Sequence, residues 1–150
     1  MRSDIINVAK KEIGTVENPK NSNKTKYGKW FGLDGLPWCA IFVSWVYHHA
    51  NCKLPNIGFT KGFAGCQTGF AYFKKQGWIT DDPVIGDIVL FDWNGGGRYD
   101  HTGLFVQWVD ATTFNTIEGN TSLTNQSNGG EVMARKRKKS GVVFVHVPNI

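Results

Sequence analysis

Cysteine is scarce in this chain, and the three present follow no pairing pattern. Cys39, Cys52 and Cys66 are odd in number and show no C-x-x-C spacing, which argues against a disulfide framework or a zinc knuckle. That usage suits synthesis in a reducing compartment. Cys52 and Cys66 read as small, partly buried fillers. No run approaches the ~20 apolar residues that cross a bilayer, so membrane insertion is not expected. Met1-Arg2-Ser3-Asp4 leads directly into an amphipathic pattern, without the apolar core of an export signal. No internal repeat or linker divides the 150 residues, a length that suits one domain with its own core. Leucine is sparse beside eighteen glycines, which points away from an all-helical bundle.

What is present divides into helices first and strands afterwards. Ser3 or Asp4 is placed to cap a helix running to about Ile13, with Ile5, Ile6, Ala9 and Ile13 on one face and Gly14 as its stop. Thr15 to Gly35 reads as a long polar loop carrying Tyr27, Trp30 and Phe31. An apolar helix should begin near Pro37 and reach about Ala50, since proline is favoured in a first helical turn. Cys66 to Gln76 reads as a third helix, ended by Gly77. Val84 to Phe91, His101 to Val109, Thr113 to Glu118, Glu131 to Arg135 and Val142 to Val147 read as strands. The order implies an α+β fold, with an antiparallel sheet packed on the helices.

The helix beginning near Pro37 carries the chemistry. It places the Cys39 sulfur beside unpaired backbone N–H groups at the positive end of a helix dipole, which favours thiolate over thiol. A thiolate nucleophile needs a base. His48 and His49 follow on the same helix, ~13 Å or more along the axis at ~1.5 Å per residue, too far for proton transfer. His146 lies among valines in the last strand and reads as packing. His101 follows Asp100 and a glycine-rich loop at the mouth of a strand. Paired as a tight hairpin, Phe105 opposes Phe114, Gly103 opposes Thr116, and His101 opposes Glu118, with Cβ atoms of opposed residues ~5 Å apart. A slip of one residue would undo that meeting. Cysteine, imidazole and a carboxylate that fixes the imidazole tautomer make a nucleophilic triad. Asn120 is a further candidate orienter.

The chain carries a net charge of +5, with Arg135-Lys136-Arg137-Lys138-Lys139 in one run. Two readings stand: a solvated turn between strands, or attraction to an anionic wall polymer, membrane surface or nucleic acid. The run lacks interleaved aromatics and a nucleic-acid motif and does not choose among these polyanions; no nucleic-acid partner is expected.

The blocks Asn21 to Gly28, Pro37 to Trp45, Pro83 to Val89, Asp100-His101-Thr102-Gly103 and Ile117-Glu118-Gly119-Asn120 together resemble the CHAP domains. These are cysteine, histidine-dependent amidohydrolases and peptidases of the NlpC/P60-like, papain-related superfamily, and the blocks occur in the family's order. The resemblance implies a papain-like fold, N-terminal helices on a five- or six-stranded antiparallel sheet, as a single catalytic domain over residues 1–150 with no separate wall-binding domain. It implies a bacteriolytic enzyme of phage endolysin type that cuts an amide bond of peptidoglycan, as endopeptidase or N-acetylmuramoyl-L-alanine amidase.

Transferred by motif, Cys39 is the nucleophile, His101 the base and acid, Glu118 the orienting carboxylate and Asn120 an auxiliary group. Cys39 N–H would be one oxyanion donor, with Tyr27 a candidate second. Tyr27, Trp30, Trp38 and Trp93 are candidates for the substrate groove. Some CHAP domains bind calcium through an Asp-rich loop before the cysteine. Here Asp34 is the only acid between Glu17 and Cys39, too few carboxylates for a hard cation, so no metal or other cofactor is expected. The expected partner is peptidoglycan, reached by a monomer made in the host cytoplasm and released to the wall, or carried on a virion. Two other functions use the same features: a papain-like transglutaminase or deamidase acting on protein, and a non-catalytic wall-binding module.

Overall fold

The computed structural model describes residues 1–150. Four helices come first: α1 (Arg2–Glu12), α2 (Lys26–Phe31), α3 (Cys39–His49) and α4 (Cys66–Gln76). Six strands follow: β1 (Ile79–Thr80), β2 (Ile88–Phe91), β3 (His101–Trp108), β4 (Thr113–Thr121), β5 (Glu131–Lys138) and β6 (Val142–Val145). The strands form one antiparallel sheet in the order β1-β6-β2-β3-β4-β5. This is the α+β architecture expected from the order of patterns. No helix is long and apolar enough to cross a membrane.

Several local expectations are corrected. Helix α1 starts at Arg2 with Met1 as its N-cap, so Ser3 and Asp4 lie inside it. Asp4 instead accepts a hydrogen bond from the Met1 ammonium at 3.1 Å. Ile13 is left exposed as the C-cap. Thr15 to Gly35 is not wholly loop. The Thr25 hydroxyl accepts from Gly28 N–H at 3.1 Å, and that cap starts the short helix α2. Val84 to Asp87 is a turn before β2, and the two-residue β1 is too short to leave a period of two in the sequence.

Helix α3 is the hub. Cys39 through Ser44, Val46 and Tyr47 are all buried, as expected for a helix apolar on every side. It packs against β3 and β4 on one side and α1 and α2 on the other. Each of its large side chains contributes about 1.5–3 kcal/mol by leaving water. The sheet has two apolar faces. Ile88, Leu90, Leu104 and Ile117 join the core shared with the helices. Val89, Phe91, Phe105, Phe114 and Phe144 form an aromatic layer behind it. His146 takes no part in a catalytic centre. It binds Asp87 at 3.1 Å, and Arg2 donates to the same carboxylate at 2.7 Å, tying α1 to the end of β6.

Glycine sets how closely α3 approaches the sheet. A Cβ at Gly119 would lie 2.7 Å from Phe42 Cβ and 2.9 Å from the Trp38 ring. Gly119→Ala is therefore expected to push α3 off β4 and lower unfolding stability by about 1–3 kcal/mol, the usual cost of overpacking. Denaturant unfolding measures it, and a loss under about 0.5 kcal/mol, the range of neutral surface changes, would contradict the close contact.

Candidate active site

Cys39 is the first residue of α3, behind Trp38 as N-cap. Pro37 thus stands just outside the helix, which starts two residues later than expected from it. Helix geometry leaves the N–H groups of Cys39, Ala40 and Ile41 without intrahelical acceptors. Cys66 holds the matching position on α4, behind Gly65 as N-cap. Two helix starts therefore converge, and the Cys39 and Cys66 sulfurs lie 3.8 Å apart. Cys66 is no mere filler. Its thiol donates to the Cys39 sulfur, the strongest influence holding the Cys39 pKa well below that of a free thiol. The adjacent His101 ring and the Thr102 N–H act in the same direction, against burial. Bonding to Cys39, with burial, pushes the Cys66 thiol up.

His101 begins β3 and is 0% exposed, as is Glu118 on β4. His101 Nε2–H donates to Glu118 Oε1 at 2.9 Å. The other ring nitrogen, Nδ1, is the one buried side-chain nitrogen or oxygen without a hydrogen-bond partner. It is the nitrogen left to exchange a proton with Cys39. Burial works against a charged ring, but the neighbouring Cys39 sulfur and the Glu118 carboxylate outweigh it and raise the His101 pKa to about 9. Both shifts favour the imidazolium–thiolate pair over the neutral one.

The meeting of His101 with Glu118 arises through a register other than the expected one. The strands pair Trp108 with Phe114, Phe105 with Thr116 and Leu104 with Ile117. The wide turn at Val109–Thr112 displaces β4 by three residues from a tight hairpin, and a bulge between Phe105 and Gln107 returns one. The net offset is two, which preserves the face of every side chain. Continued outward, the register sets Gly103 opposite Glu118. A Cβ there would meet Glu118 Cγ at 2.5 Å. The bare glycine lets the carboxylate lie over it and reach diagonally to His101.

Glu118 is held from its other side by β5. Arg137 Nε donates to Oε2 at 2.8 Å and Nη2 to Oε1 at 2.6 Å. The Thr116 hydroxyl donates to Oε2 at 2.5 Å. Burial alone would raise the Glu118 pKa, yet Arg137 and His101 bring it down to about 2. Trp93 stacks on the His101 ring with centroids 5.5 Å apart, and the Arg137 guanidinium lies 4.9 Å from the same indole.

The basic run is therefore neither a turn nor a uniformly solvated patch. It lies in β5 and alternates, with Arg135 and Arg137 partly buried and Lys136 and Lys138 exposed. That period of two was the available sequence signal for Arg137.

Other predicted site residues lie elsewhere. Asn120 is buried with φ +57°, but its amide donates to Asn128 and accepts from Gly130 N–H, each at 3.0 Å. It braces the 121–130 loop and makes no hydrogen bond to His101. Tyr27 and Trp38 are core residues that stack on each other. The Tyr27 hydroxyl donates to Glu12 and the Trp38 indole to Glu17. Tyr27 is thus neither a groove wall nor an oxyanion donor. Trp30 packs on His48 and His49 at the opposite end of α3 from Cys39. Of the four groove candidates, only Trp93 stands at the site, and it is 40% exposed. No three His, Cys, Asp or Glu residues cluster in a way that could hold a metal ion.

A family model described as the CHAP domain matches residues 31–120. No curated protein matches the chain. Among solved structures, the crystal structure of Ly7917 superposes with a TM-score of 0.52 at 13% identity, over 97% of this chain and 62% of that one. At that identity the likeness is one of fold. This chain spans less than two thirds of the length of Ly7917.

The lowered Cys39 and raised Cys66 pKa values predict selective alkylation. Iodoacetamide at pH 6 should modify Cys39 at least tenfold faster than free cysteine, whose pKa is ~8.5, and leave Cys66 unmodified. Peptide mass spectrometry reads the sites. A Cys39 rate that falls with decreasing pH in parallel with free cysteine would contradict the thiolate.

Proposed function

We propose, from the premise that this chain belongs to the CHAP domain family of amidase- and peptidase-type hydrolases, that it hydrolyses an amide bond in the peptide part of bacterial peptidoglycan. The single supporting observation is the convergence of a helix-start sulfur with a buried imidazole–carboxylate pair from a distant hairpin. The Cys39 thiolate attacks the substrate carbonyl carbon, and the π electrons move onto oxygen. The N–H groups at the start of α3, beginning with Cys39 itself, offer the oxyanion its donors. As the tetrahedral adduct collapses, the C–N bond breaks and His101 Nδ1–H protonates the departing amine. A thioester remains on Cys39. Neutral His101 then takes a proton from water, hydroxide adds to the thioester, and the carboxylic acid leaves as Cys39 regains its thiolate. Glu118 holds the ring through Nε2 throughout and steadies its positive charge.

Trp93 stacks on His101 and is itself exposed, so its indole supplies a flat wall for substrate beside the imidazole. Next to it lies an open groove of about 640 Å³ lined by Trp93, Lys136, Lys138 and Ser140, among others. Only the outward lysines 136, 138 and 139 of the basic run are exposed. They are the charges available for docking on anionic wall polymers. On this reading the enzyme acts at the bacterial wall as a lysin.

Two expected outcomes test the proposal. Cys39→Ala and His101→Ala should keep the fold by circular dichroism. Each should lose about a thousandfold or more of the release of new amines from purified peptidoglycan, the usual scale for a triad member. Wild-type release from either variant would refute the mechanism. Raising salt from low to ~0.5 M should slow lysis of whole cells more than cleavage of a small neutral wall peptide, because exposed charges are screened over ~10 Å or less. Replacing Lys136, Lys138 and Lys139 by Gln should remove that difference. Equal salt sensitivity of the two assays in the wild type would remove the docking role.

A further inference from the structure

Arg137 lies outside the span matched by the family model, residues 31–120, on a strand that supplies no residue to the triad. Its geometry is not that of a surface charge. The guanidinium grips Glu118 with two nitrogens, at 2.8 and 2.6 Å. It packs over Phe91 and Trp93 and is 10% exposed. The Trp93 ring rests on both His101 and Arg137, so one indole braces the two cations flanking Glu118.

Charge counting shows what this contact does. A working triad of thiolate, imidazolium and carboxylate carries one net negative charge in a closed space. An uncompensated charge of that kind is costly to bury. Adding the guanidinium makes the sequence Cys39⁻, His101⁺, Glu118⁻, Arg137⁺, which alternates in sign and sums to zero. The remaining nearby groups do not replace it. Around Glu118 the charged groups are His101, Arg137 and, further off, Arg135, which is engaged with Thr121, Ser122 and Gln126. Around Cys39 they are His101 and Cys66, with Asp100 acting on Cys66.

We propose that Arg137 is a positioning residue of this site, holding Glu118 ionised and aimed at His101 and thereby sustaining the Cys39 thiolate through the two residues between them. The inference deepens the cysteine-hydrolase reading and rests on it for its catalytic consequence, though not for its effect on the thiol. Loss of the guanidinium leaves Glu118 buried with less opposing charge, so the carboxylate gains a proton more readily. A protonated Glu118 no longer supports the imidazolium, and the thiolate loses its neighbour. The acid limb of Cys39 reactivity therefore moves to higher pH. Lysine keeps the charge but not the two-point grip, which a planar guanidinium alone supplies.

The test follows the rate of Cys39 alkylation by iodoacetamide against pH, read by peptide mass spectrometry, beside kcat/KM for amide release from peptidoglycan. Arg137→Met should move the acid limb of both up by about one pH unit or more, the scale on which a close opposite charge acts. Arg137→Lys should recover a large part of the shift. In a Glu118→Gln background, Arg137→Met should move the limb no further, because its action runs through Glu118. A folded Arg137→Met protein with an unmoved limb overturns the proposal. Should that variant fail to fold, the wild-type protein decides, by carbon NMR titration of the Glu118 carboxyl. No titration above pH 3 supports the clamp, consistent with a pKa of about 2, and titration above pH 4 overturns it. A limb that shifts in alkylation while peptidoglycan stays uncut sustains Arg137 and refutes only the substrate.

Discussion

The arrangement depends on a carboxylate kept ionised where no water reaches it. Glu118 is fully buried, and a lone charge there would cost several kcal/mol. It persists because His101 grips it from β3 and Arg137 from β5, with Thr116 adding a hydroxyl from its own strand. Three adjacent strands thus converge on one side chain. The rotation of the imidazole, the availability of its Nδ1 and the positive charge it places beside Cys39 all follow from that fixed charge.

Close packing carries this precision from sheet to helix. Gly119 lets α3 settle against β4, and Gly103 leaves room for the Glu118 side chain to cross β3. The two glycines flank the same carboxylate, one beside it in sequence and one across the strand pair. The helix then presents its N-terminus, rather than its side, to the imidazole. A second helix start, at Cys66, faces the same sulfur. The nucleophile is therefore stabilised as an anion by a thiol donor, an imidazolium and the backbone together.

The bulge on β3 shows how local irregularity can serve a site. The wide turn at Val109–Thr112 alone would shift β4 by an odd number of residues and put Glu118 on the wrong face. The extra residue at Val106 restores the parity. Asn120 nonetheless makes no hydrogen bond to the ring. Its backbone takes a positive φ where the β4–β5 register breaks, which turns its amide toward the 121–130 loop.

The sequence by itself determined the order of the main helices and strands, the bounds of α4 and the placement of Cys39 at a helix start. These rest on short-range rules: periodicity of two or 3.6, and glycine stops. It offered His101 and Glu118 as partners, but their meeting depends on a wide turn and a bulge that no local pattern marks. It misled at three of the four aromatic rings that had to choose between core and groove. Tyr27, Trp30 and Trp38 carry no mark of which neighbour covers them, and only their packing on α3, Glu12 and Glu17 decided it. The basic run alternates along the chain, but its period of two does not say which face is inward. Its two inward arginines are told from its lysines by which strand lies beside β5. That is a long-range fact, and the tertiary fold alone brings Arg137 to Glu118 and Cys66 to Cys39.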